Sequence, residues 1–324
     1  MDRIALIYRK KLNGRHSIER LFSPMDNLSN INRVELPYDL TSLASAIKLF
    51  LFALKIKEKT IHITGDVHYM AIFLFWKKII ITMHDCNHYE DLTGIKKKVI
   101  GLLWFRIPIL ISKKIIVISP FVKEQLQKHF KLDENKIIVI PNTFNKIEQD
   151  DTIGKQNIFE ILVIGTKKNK NVERLLEAIK EIKNIQLQIV GKLQKKQINL
   201  LKEYKILYSN HVDISQKQLC QLYNSSHMLY FASTKEGFGL PILEAQSCGL
   251  PVLTSNTTSM PYVAGFGALL VNPYCVKSIT SSIIQIISNK DLRDELVLKG
   301  YSNVNRFGES NFVASYTKIY NSFK

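Results

Sequence analysis

The chain has 324 residues, of which 46% are hydrophobic and 23% are charged. This length exceeds one compact domain and this composition is too apolar for a disordered chain, so we expect two packed domains. The excess of 45 Lys and Arg over 28 Asp and Glu leaves a net charge of +17. Such a charge attracts polyanions, and nucleic acid, anionic lipid and diphosphate substrates all stay open as partners.

The apolar stretches of the chain are short. Two of them, Tyr69–Trp76 and Ile107–Ile111, fall well short of the ~20 apolar residues of a spanning helix. The opening residues MDRIALI include an acid and a base, which does not fit a secretory signal. The cysteines lie far apart without a CxxC pair, as is typical of reduced thiols. We therefore expect a cytoplasmic protein.

Short β-branched runs alternate with stretches of helical period along the whole chain. This alternation is typical of parallel sheets with crossover helices and predicts an α/β fold. In the first half we predict strands at Arg3–Tyr8, Arg33–Leu36, Thr60–Thr64, Ile79–Met83, Lys114–Ile118 and Lys136–Ile140. Ser119 with Pro120 predicts the N-cap and the first position of a helix. In the second half we predict strands at Phe159–Ile164, Ile185–Val190, Met228–Ala232, Pro251–Thr254 and Ala268–Val271.

The periodic pattern lapses between Asn142 and Asn157. We therefore predict a first α/β domain over residues 1–145, a linker over 146–157 and a second α/β domain over 158–305. Ligands of open α/β sheets bind outside the carboxyl ends of the strands. Functional residues should therefore directly follow strands and, with two domains, converge on the cleft between them.

A glycine-rich turn between two glutamates follows the apolar run HMLYFA, in the segment STKEGFGLPILEAQSCGLP. Gly237 and Gly239 let the backbone approach a ligand closely, and Pro241 can begin a helix without losing a hydrogen bond. That helix should run from Leu240 to about Cys248. Its first turn presents N–H groups and a partial positive charge, which predicts a diphosphate site.

Two carboxylates flank this turn, Glu236 before it and Glu244 within the following helix. Because carboxylates repel phosphate, we expect both to point past the phosphates. One would meet sugar hydroxyls and the other the ribose hydroxyl pair, which a carboxylate can accept bidentately. The alternative is a capped helix with solvated glutamates; the glycines, the proline and the two acids together favour the ligand site.

The segment EGFGLPILEA resembles the E-x7-E signature of retaining GT-B glycosyltransferases of family four. The segment VIGTKKNKNVERLLEAI, Val163–Ile179, resembles the family segment in which a Lys-Asn pair meets the diphosphate, here Lys170 and Asn171. The resemblance reaches a helix near Glu309–Phe323; in such folds this segment, here residues 306–324, packs back on the first domain. It implies two Rossmann-like domains facing across a cleft, and transfer of a hexose-type sugar from a UDP- or GDP-sugar with retention of configuration.

The resemblance also implies roles for individual residues. Catalysis is expected from Glu236 and His84. Nucleotide-sugar binding is expected from Gly165, Lys170, Asn171, Gly237, Phe238, Gly239, Leu240 and Glu244. Many relatives carry an arginine after the glycine, where this chain has Thr166, so Lys167 is the candidate for a second phosphate cation. Independently of the family, Asn171 suits the N-cap of the following helix. No DxD motif follows a strand, so we expect neither a metal nor another cofactor.

Polar residues follow two strands of the first half: Asp66 and His68 after one, His84 and Asp85 after the next. The resemblance implies that His84 and Asp85 contact the donor sugar or the reacting centre. A structural histidine is the alternative. A metal site that includes His88 is disfavoured, because this spacing does not give the i, i+4 helical face of zinc proteases.

A cationic loop follows the first strand, with Arg9, Lys10 and Arg15 around one glycine. Together with Lys96–Lys98 beside Trp104, these bases are candidates for binding a lipid-linked phosphate or an anionic membrane surface. A solvated basic surface is the alternative. With the acceptor-side residues Asp66, His68 and Asp85, they would serve a glycan or lipid-linked glycan acceptor of the bacterial surface polysaccharide type. The expected location is the cytoplasm, peripheral on the inner face of the membrane.

Other functions stay open at this point. A nucleotide-sugar epimerase or a glycogen-type phosphorylase shares the two-domain cleft, although phosphorylases need a pyridoxal lysine in a far longer chain. A nucleic-acid binder is supported by charge alone, since RNP aromatics, zinc knuckles and a helix-turn-helix signature are missing; nucleic acid is not an expected partner. The motif GxxxxGK[ST] does not occur, which excludes a P-loop GTP or ATP hydrolase.

Overall fold

The structure is a computed structural model that describes residues 3–10, 17–150, 152–154 and 157–323. The chain divides into two compact units. The first comprises Met1–Thr143 together with Glu309–Lys324, and the second comprises Phe144–Gly308. Ile147 lies in the segment expected to be a linker; it is buried in the second unit, where its N–H donates to Ser247 Oγ at 2.9 Å.

The first unit contains a parallel sheet of six strands. They are β1 (Ile4–Tyr8), β2 (Ile31–Glu35), β3 (Thr60–Ile63), β4 (Lys78–Met83), β5 (Lys114–Val117) and β6 (Ile137–Val139). The order is β2-β1-β3-β4-β5-β6, with Ile4 opposite both Ile31 and Thr60. The helices are α1 (Ser17–Asp26), α2 (Leu43–Ala53), α3 (Met70–Phe73), α4 (Asn87–Asp91), α5 (Gly94–Ile100), α6 (Ile107–Ile111) and α7 (Pro120–His129), with a π-helical turn at Gly101–Arg106 and a 3₁₀ turn at Glu134–Lys136.

The second unit also contains a parallel sheet of six strands. They are β7 (Phe159–Ile164), β8 (Ile185–Val190), β9 (Leu207–His211), β10 (Met228–Phe231), β11 (Val252–Ser255) and β12 (Leu269–Val271). Their order, β12-β11-β10-β7-β8-β9, is that of dinucleotide-binding Rossmann sheets. The helices are α8 (Val172–Ile179), α9 (Lys195–Glu203), α10 (Gln216–Ser225), α11 (Leu240–Ser247), α12 (Met260–Ala264), α13 (Val276–Ser288) and α14 (Lys290–Val304), with 3₁₀ turns at Lys168–Lys170 and Asn305–Phe307.

The last helix of the described chain, α15 (Glu309–Asn321), belongs to the first unit. Tyr316 and Tyr320 are buried beside the sheet. His62 of β3 lies between them and β4, with Nδ1 2.7 Å from Tyr320 Oη and Nε2 2.7 Å from Thr82 Oγ1. Burial lowers the pKa of His62 from 6.5 to about 3, so this imidazole is a neutral, structural group.

The α/β class and eleven of the twelve strands were predicted from the sequence, and both are confirmed to within one or two residues. Buried parallel strands are nearly continuous apolar runs, and that pattern is easy to recognise. The missed strand is β9, LYSNH, an edge strand that is mostly exposed and has no such run. The Ser119 N-cap is also confirmed, since its side chain accepts from Val122 N and Pro120 follows it. Within the described ranges, no helix combines the length and apolarity needed to cross a bilayer.

Candidate functional site

The strand order of the second sheet reverses between β7 and β10, which are hydrogen-bonded neighbours. Connections leave to opposite faces at such a switch point and open a crevice at the carboxyl ends of the two strands. The loops that follow these strands are residues 165–171 and 232–239. They contain the two segments singled out from the sequence, so the topology brings both to the same edge of the sheet.

The glycine-rich turn leads directly into α11. Gly239 occupies the N-cap with φ 124°, a backbone conformation that side chains disfavour, and Pro241 lies in the first turn. A Cβ at Gly239 would approach Met260 Cε to 2.9 Å. Because Gly239 has no side chain, no side-chain cap covers the helix start. Leu240 begins the helix, so the first N–H groups and the positive end of the helix dipole lie at the switch point.

The glycine-rich turn is held in place by Ser259, the N-cap residue of α12. Ser259 Oγ lies 2.6 Å from Phe238 O and 2.9 Å from Glu236 O. Phe238, expected to bind the nucleotide sugar, has its ring buried at 5% exposure against Phe307, with centroids 5.8 Å apart. Its side chain therefore packs on the core side of the turn.

The loop after β7 turns at Gly165, whose φ is 87°. The aliphatic part of Lys170 packs over this glycine, since a Cβ there would lie 3.0 Å from Lys170 Cε. Lys170 Nζ lies 4.4 Å from the centroid of the Phe231 ring, at the end of β10. The lysine therefore crosses from the β7 loop to the β10 loop, and its aliphatic chain is fixed by packing.

The two loops are joined by an ion pair and several hydrogen bonds. Lys170 Nζ lies 2.6 Å from Glu236 Oε1, and each side chain is 19% exposed. Asn169 Nδ2 lies 3.0 Å from the same carboxylate oxygen and 3.0 Å from Lys235 O, and Thr234 N donates to Asn169 O at 2.8 Å. Glu236 therefore occupies a defined position in which it receives two donors from the opposite loop.

Asn171 is the N-cap residue of α8, but the prediction that its side chain caps the helix is wrong. The backbone is left-handed, with φ 60°, which turns the amide away from the helix N–H groups. Asn171 Nδ2 instead donates to Ala232 O at 3.1 Å and to Pro273 O at 2.7 Å. Buried at 2% exposure, this side chain joins its own loop to the loops that carry Ala232 and Pro273.

The position after Gly165 carries no cation. Thr166 is buried, and its Oγ1 donates to Lys192 O at 2.6 Å. Lys167, the candidate second phosphate cation, is exposed at the start of the 3₁₀ turn. Lys167 stays a candidate phosphate cation only because it lies in the loop that follows β7.

Glu244 lies in α11 and is paired with a tyrosine of α10. Tyr223, buried at 1% exposure, donates its hydroxyl to Glu244 Oε2 at 2.7 Å. Burial raises the pKa of Glu244 above its ordinary value, although the hydrogen bond from Tyr223 lowers it. This carboxylate therefore gains from any further hydroxyl donor that a ligand supplies.

The first unit gathers its predicted residues at the ends of β1, β3 and β4. His84 Nε2 lies 2.8 Å from Thr64 O. Because a carbonyl oxygen only accepts, the neutral ring carries its proton on Nε2, and Nδ1 becomes the acceptor. His84 is half-buried, so its ring is oriented by the neighbouring strand and remains reachable.

His68, by contrast, is a buried histidine. Its exposure is 5%, and Nε2 lies 3.0 Å from Thr82 O. Burial lowers the pKa of His68, so the ring is neutral. Asp85 is exposed, and its Oδ1 accepts from Asn87 N at 2.8 Å.

Arg9, predicted as an acceptor-side cation, is already paired with two carboxylates. Its guanidinium lies 3.0 Å from Glu19 Oε1 and 3.0 Å from Asp66 Oδ2. Arg9 therefore joins the ends of β1 and β3 and contributes little net charge. Lys10 is exposed, and Arg15 lies outside the described residues.

A cavity of about 470 Å³ opens beside His68. Its lining combines acids, histidines and aromatic rings: Asp66, His68, Asp85, Cys86, His88, Tyr89, Ile100, Trp104 and Phe105. Trp104 Nε1 donates to Asp66 O at 3.2 Å. Aromatic faces beside carboxylates suit a ligand with both C–H faces and hydroxyl groups. In the described part of the chain, no three His, Cys, Asp or Glu residues are grouped so that they would hold a metal ion.

Three positioning residues were missed from the sequence: Asn169, Tyr223 and Ser259. Asn169 could have been found, because it directly precedes Lys170 in a polar loop after a strand. Tyr223 and Ser259 lie 21 residues from Glu244 and 23 from Glu236 respectively, and no local pattern links such pairs.

Two family models match this chain. Residues 144–303 match the model described as glycosyl transferases group 1, and residues 15–146 match the model described as glycosyltransferase family 4. Together they span both units.

Similar proteins cover much of the chain. An O-antigen chain mannosyltransferase of Salmonella typhimurium is 28% identical over 215 residues, which are 64% of this chain and 60% of the relative. A capsular polysaccharide biosynthesis glycosyltransferase of Staphylococcus aureus is 26% identical over 315 residues, which are 88% of this chain and 81% of the relative. Among solved structures, the Anabaena protein HepE in complex with UDP-glucose has a TM-score of 0.76 and 13% identity, covering 99% of each chain. At this identity the likeness shows the fold.

Proposed function

Because this chain belongs to the group 1 glycosyltransferases, which have the GT-B fold, we propose that it moves a hexose-type sugar from a UDP- or GDP-sugar to a glycan or lipid-linked glycan. The family and the fold class inferred from the resemblance are confirmed. Relatives named for O-antigen and capsular polysaccharide synthesis support an acceptor of the bacterial surface polysaccharide type.

The observation that carries the proposal is the arrangement at the switch point of the second sheet. The uncapped start of α11 follows the glycine-rich turn, and Lys170 reaches the same edge from the neighbouring loop. A helix N-terminus and a lysine side by side suit a diphosphate. We assign the diphosphate to these groups and the ribose hydroxyl pair to Glu244.

Transfer breaks the bond between the anomeric carbon and the diphosphate. The site must therefore stabilise the negative charge that leaves and tolerate positive charge on the sugar ring. The helix dipole and Lys170 serve the leaving diphosphate without a metal, and Glu236 steadies the sugar. Retention follows if the acceptor attacks from the face of the departing phosphate, and a donor phosphate oxygen then takes the acceptor proton.

We assign acceptor binding to the first unit, at the cavity beside Trp104 and Asp66. His84, oriented by Thr64 O, is proposed to contact the donor sugar or the reacting centre. An acceptor linked to lipid would place the enzyme at the inner face of the membrane.

A panel of nucleotide sugars tests the donor assignment by thermal shift, since a ligand that binds only the folded chain raises the melting temperature. We expect a UDP- or GDP-sugar to raise the melting temperature more than the free sugar does, and Lys170→Ala to reduce this shift. No shift with any nucleotide would contradict the proposal. Conversion of the nucleotide sugar without an acceptor would instead favour an epimerase.

A further inference from the structure

One helix of the first unit turns an apolar face to solvent. Leu43, Ile47, Leu51 and Leu54 lie on or directly after α2 and are 80%, 54%, 53% and 56% exposed. At ~100° per residue these positions fall within one stripe about 80° wide along the helix. The solvent-facing side of a surface helix is normally polar. This side of α2 is apolar and yet exposed, so nothing in the described chain packs over it.

The helix is firmly attached by its opposite side. Leu49 and Ala53 are completely buried, and Ser42 caps the start of the helix in a capping box with Ser45. The orientation of α2 is therefore set by its own packing, and the exposed stripe does not result from a loosely held segment. Large exposed apolar patches of this kind mark interaction surfaces.

Aromatic residues that follow α3 extend the stripe. Trp76 makes an edge contact with Phe50 of α2, with centroids 6.2 Å apart, and Phe75 packs on Trp76 at 5.2 Å. Phe75 is 66% exposed. We call this surface the α2 patch; its members are Leu43, Ile47, Phe50, Leu51, Leu54, Phe75 and Trp76.

The chain around the patch is strongly basic. Residues 38–59 and 74–78 contain six lysines, one aspartate and one glutamate. That glutamate, Glu58, accepts a 2.7 Å hydrogen bond from Asn32. Lys55, Lys57 and Lys59 are exposed and can extend their charges past the apolar side chains.

This charge decides between two occupants. A second copy of the chain, docked by a two-fold axis, would set the same lysines against each other across the interface. Anionic lipid headgroups would neutralise them, while leucine side chains and a tryptophan enter the interfacial region below. We propose that the α2 patch binds the surface of an anionic lipid bilayer. The proposed function enters this inference at one point: binding to the bilayer would give the enzyme access to a lipid-linked acceptor. The membrane contact is assigned to α2 and not to Lys96–Lys98.

Vesicle sedimentation tests the patch directly. We expect the full chain to bind vesicles of phosphatidylcholine with phosphatidylglycerol and to bind pure phosphatidylcholine weakly. Leu51→Gln with Phe75→Gln should reduce the partition coefficient by about tenfold or more. Leu298→Gln with Phe266→Gln removes equally exposed apolar side chains, 70% and 87% exposed, from the second unit, and should leave binding unchanged. Lys55→Gln with Lys57→Gln should reduce binding to the anionic vesicles by about thirtyfold, at ~1 kcal/mol per lysine.

Three results would overturn the inference: no vesicle binding by the wild type, equal binding by the patch variant and the wild type, or a patch variant that loses a wild-type dimer while it keeps its vesicle binding. Donor binding, measured by thermal shift on the same proteins, should be the same for all variants. A failed vesicle experiment with intact donor binding thus rejects the membrane surface alone, whereas lost donor binding in the wild type rejects the proposed function.

Discussion

Lys170 Nζ lies 2.6 Å from Glu236 Oε1, so a lysine and a glutamate from neighbouring loops neutralise each other at the switch point of the second sheet. The pair spans 66 residues of sequence. A bound diphosphate would compete with Glu236 for the lysine and release part of the carboxylate for the sugar. The two residues should therefore respond differently to substitution.

Lys170→Ala should weaken the binding of UDP or GDP by about tenfold to a hundredfold, because a charge-assisted contact to phosphate is lost. Isothermal calorimetry on the variant measures this. Lys167→Ala tests the second candidate cation of the same loop; because Lys167 is exposed, we expect a smaller loss than for Lys170→Ala. Equal losses for both lysines would mean that the loop acts only through its net charge.

Glu236→Ala should abolish transfer, with a loss of about a hundredfold or more in kcat, while nucleotide affinity stays the same or rises. The rise is expected because Lys170 is freed from its partner. Nucleotide release in the presence of acceptor measures kcat, and far-UV circular dichroism checks the fold. Near-normal turnover would remove Glu236 from the mechanism.

Tyr223→Phe should destabilise the second unit by about 2 kcal/mol, since the half-buried Glu244 carboxylate loses the hydroxyl donor that the buried Tyr223 supplies. Nucleotide affinity should fall as well, because the position of Glu244 is set by that hydrogen bond. Urea unfolding with and without nucleotide measures both effects. Tyr204→Phe is the control: its hydroxyl also lies 2.7 Å from a carboxylate, that of Glu177, but on the surface. If the two variants lose the same stability, burial of the pair has no energetic consequence.

Gly239→Ala should cost about 2 kcal/mol of stability and weaken donor binding. A side chain at φ 124° is strained, and its Cβ would press on Met260 Cε at 2.9 Å. Gly154→Ala, where nothing lies within 4 Å of the added Cβ, should be close to neutral. Unaltered donor affinity in Gly239→Ala would show that the turn tolerates a side chain and does not approach the ligand.

His62 should make stability depend on pH. Its pKa is 6.5 in the unfolded chain and about 3 when buried, so between these values only the unfolded chain binds the proton. The contribution is complete above pH 6.5 and is lost as the pH falls, at ~1.4 kcal/mol per pH unit. His62→Gln should flatten the slope of the unfolding free energy between pH 6.5 and pH 5. His68 is present in both proteins, so the difference isolates His62; identical slopes would contradict the assignment.

The glycines and the proline around Gly239 predicted the turn because their backbone preferences are local. The hydrogen-bond partners of the two glutamates could not be predicted from local sequence patterns. Glu236 contacts Asn169, which is 67 residues away, and Glu244 contacts Tyr223. Asn171 shows the limit most clearly. It occupies the predicted N-cap position, yet its left-handed backbone sends the amide to two carbonyl oxygens of other loops.

The apolar face of α2 illustrates a different limit. LASAIKLFLFA is apolar on nearly every side, and such a helix is normally expected to be buried all round. Only the structure distinguishes the packed side, with Leu49, from the solvent side, with Leu51.

Tyr320 has a consequence for the order of events during synthesis. The hydroxyl that completes the hydrogen bonding of His62 leaves the ribosome only after all of the second unit has been translated. The first unit, although translated first, therefore waits for α15 to close its core, while the second unit has all of its own strands by residue 271. A chain that stopped near residue 308 would leave exposed the apolar face of the first unit that Phe312, Tyr316 and Tyr320 of α15 cover.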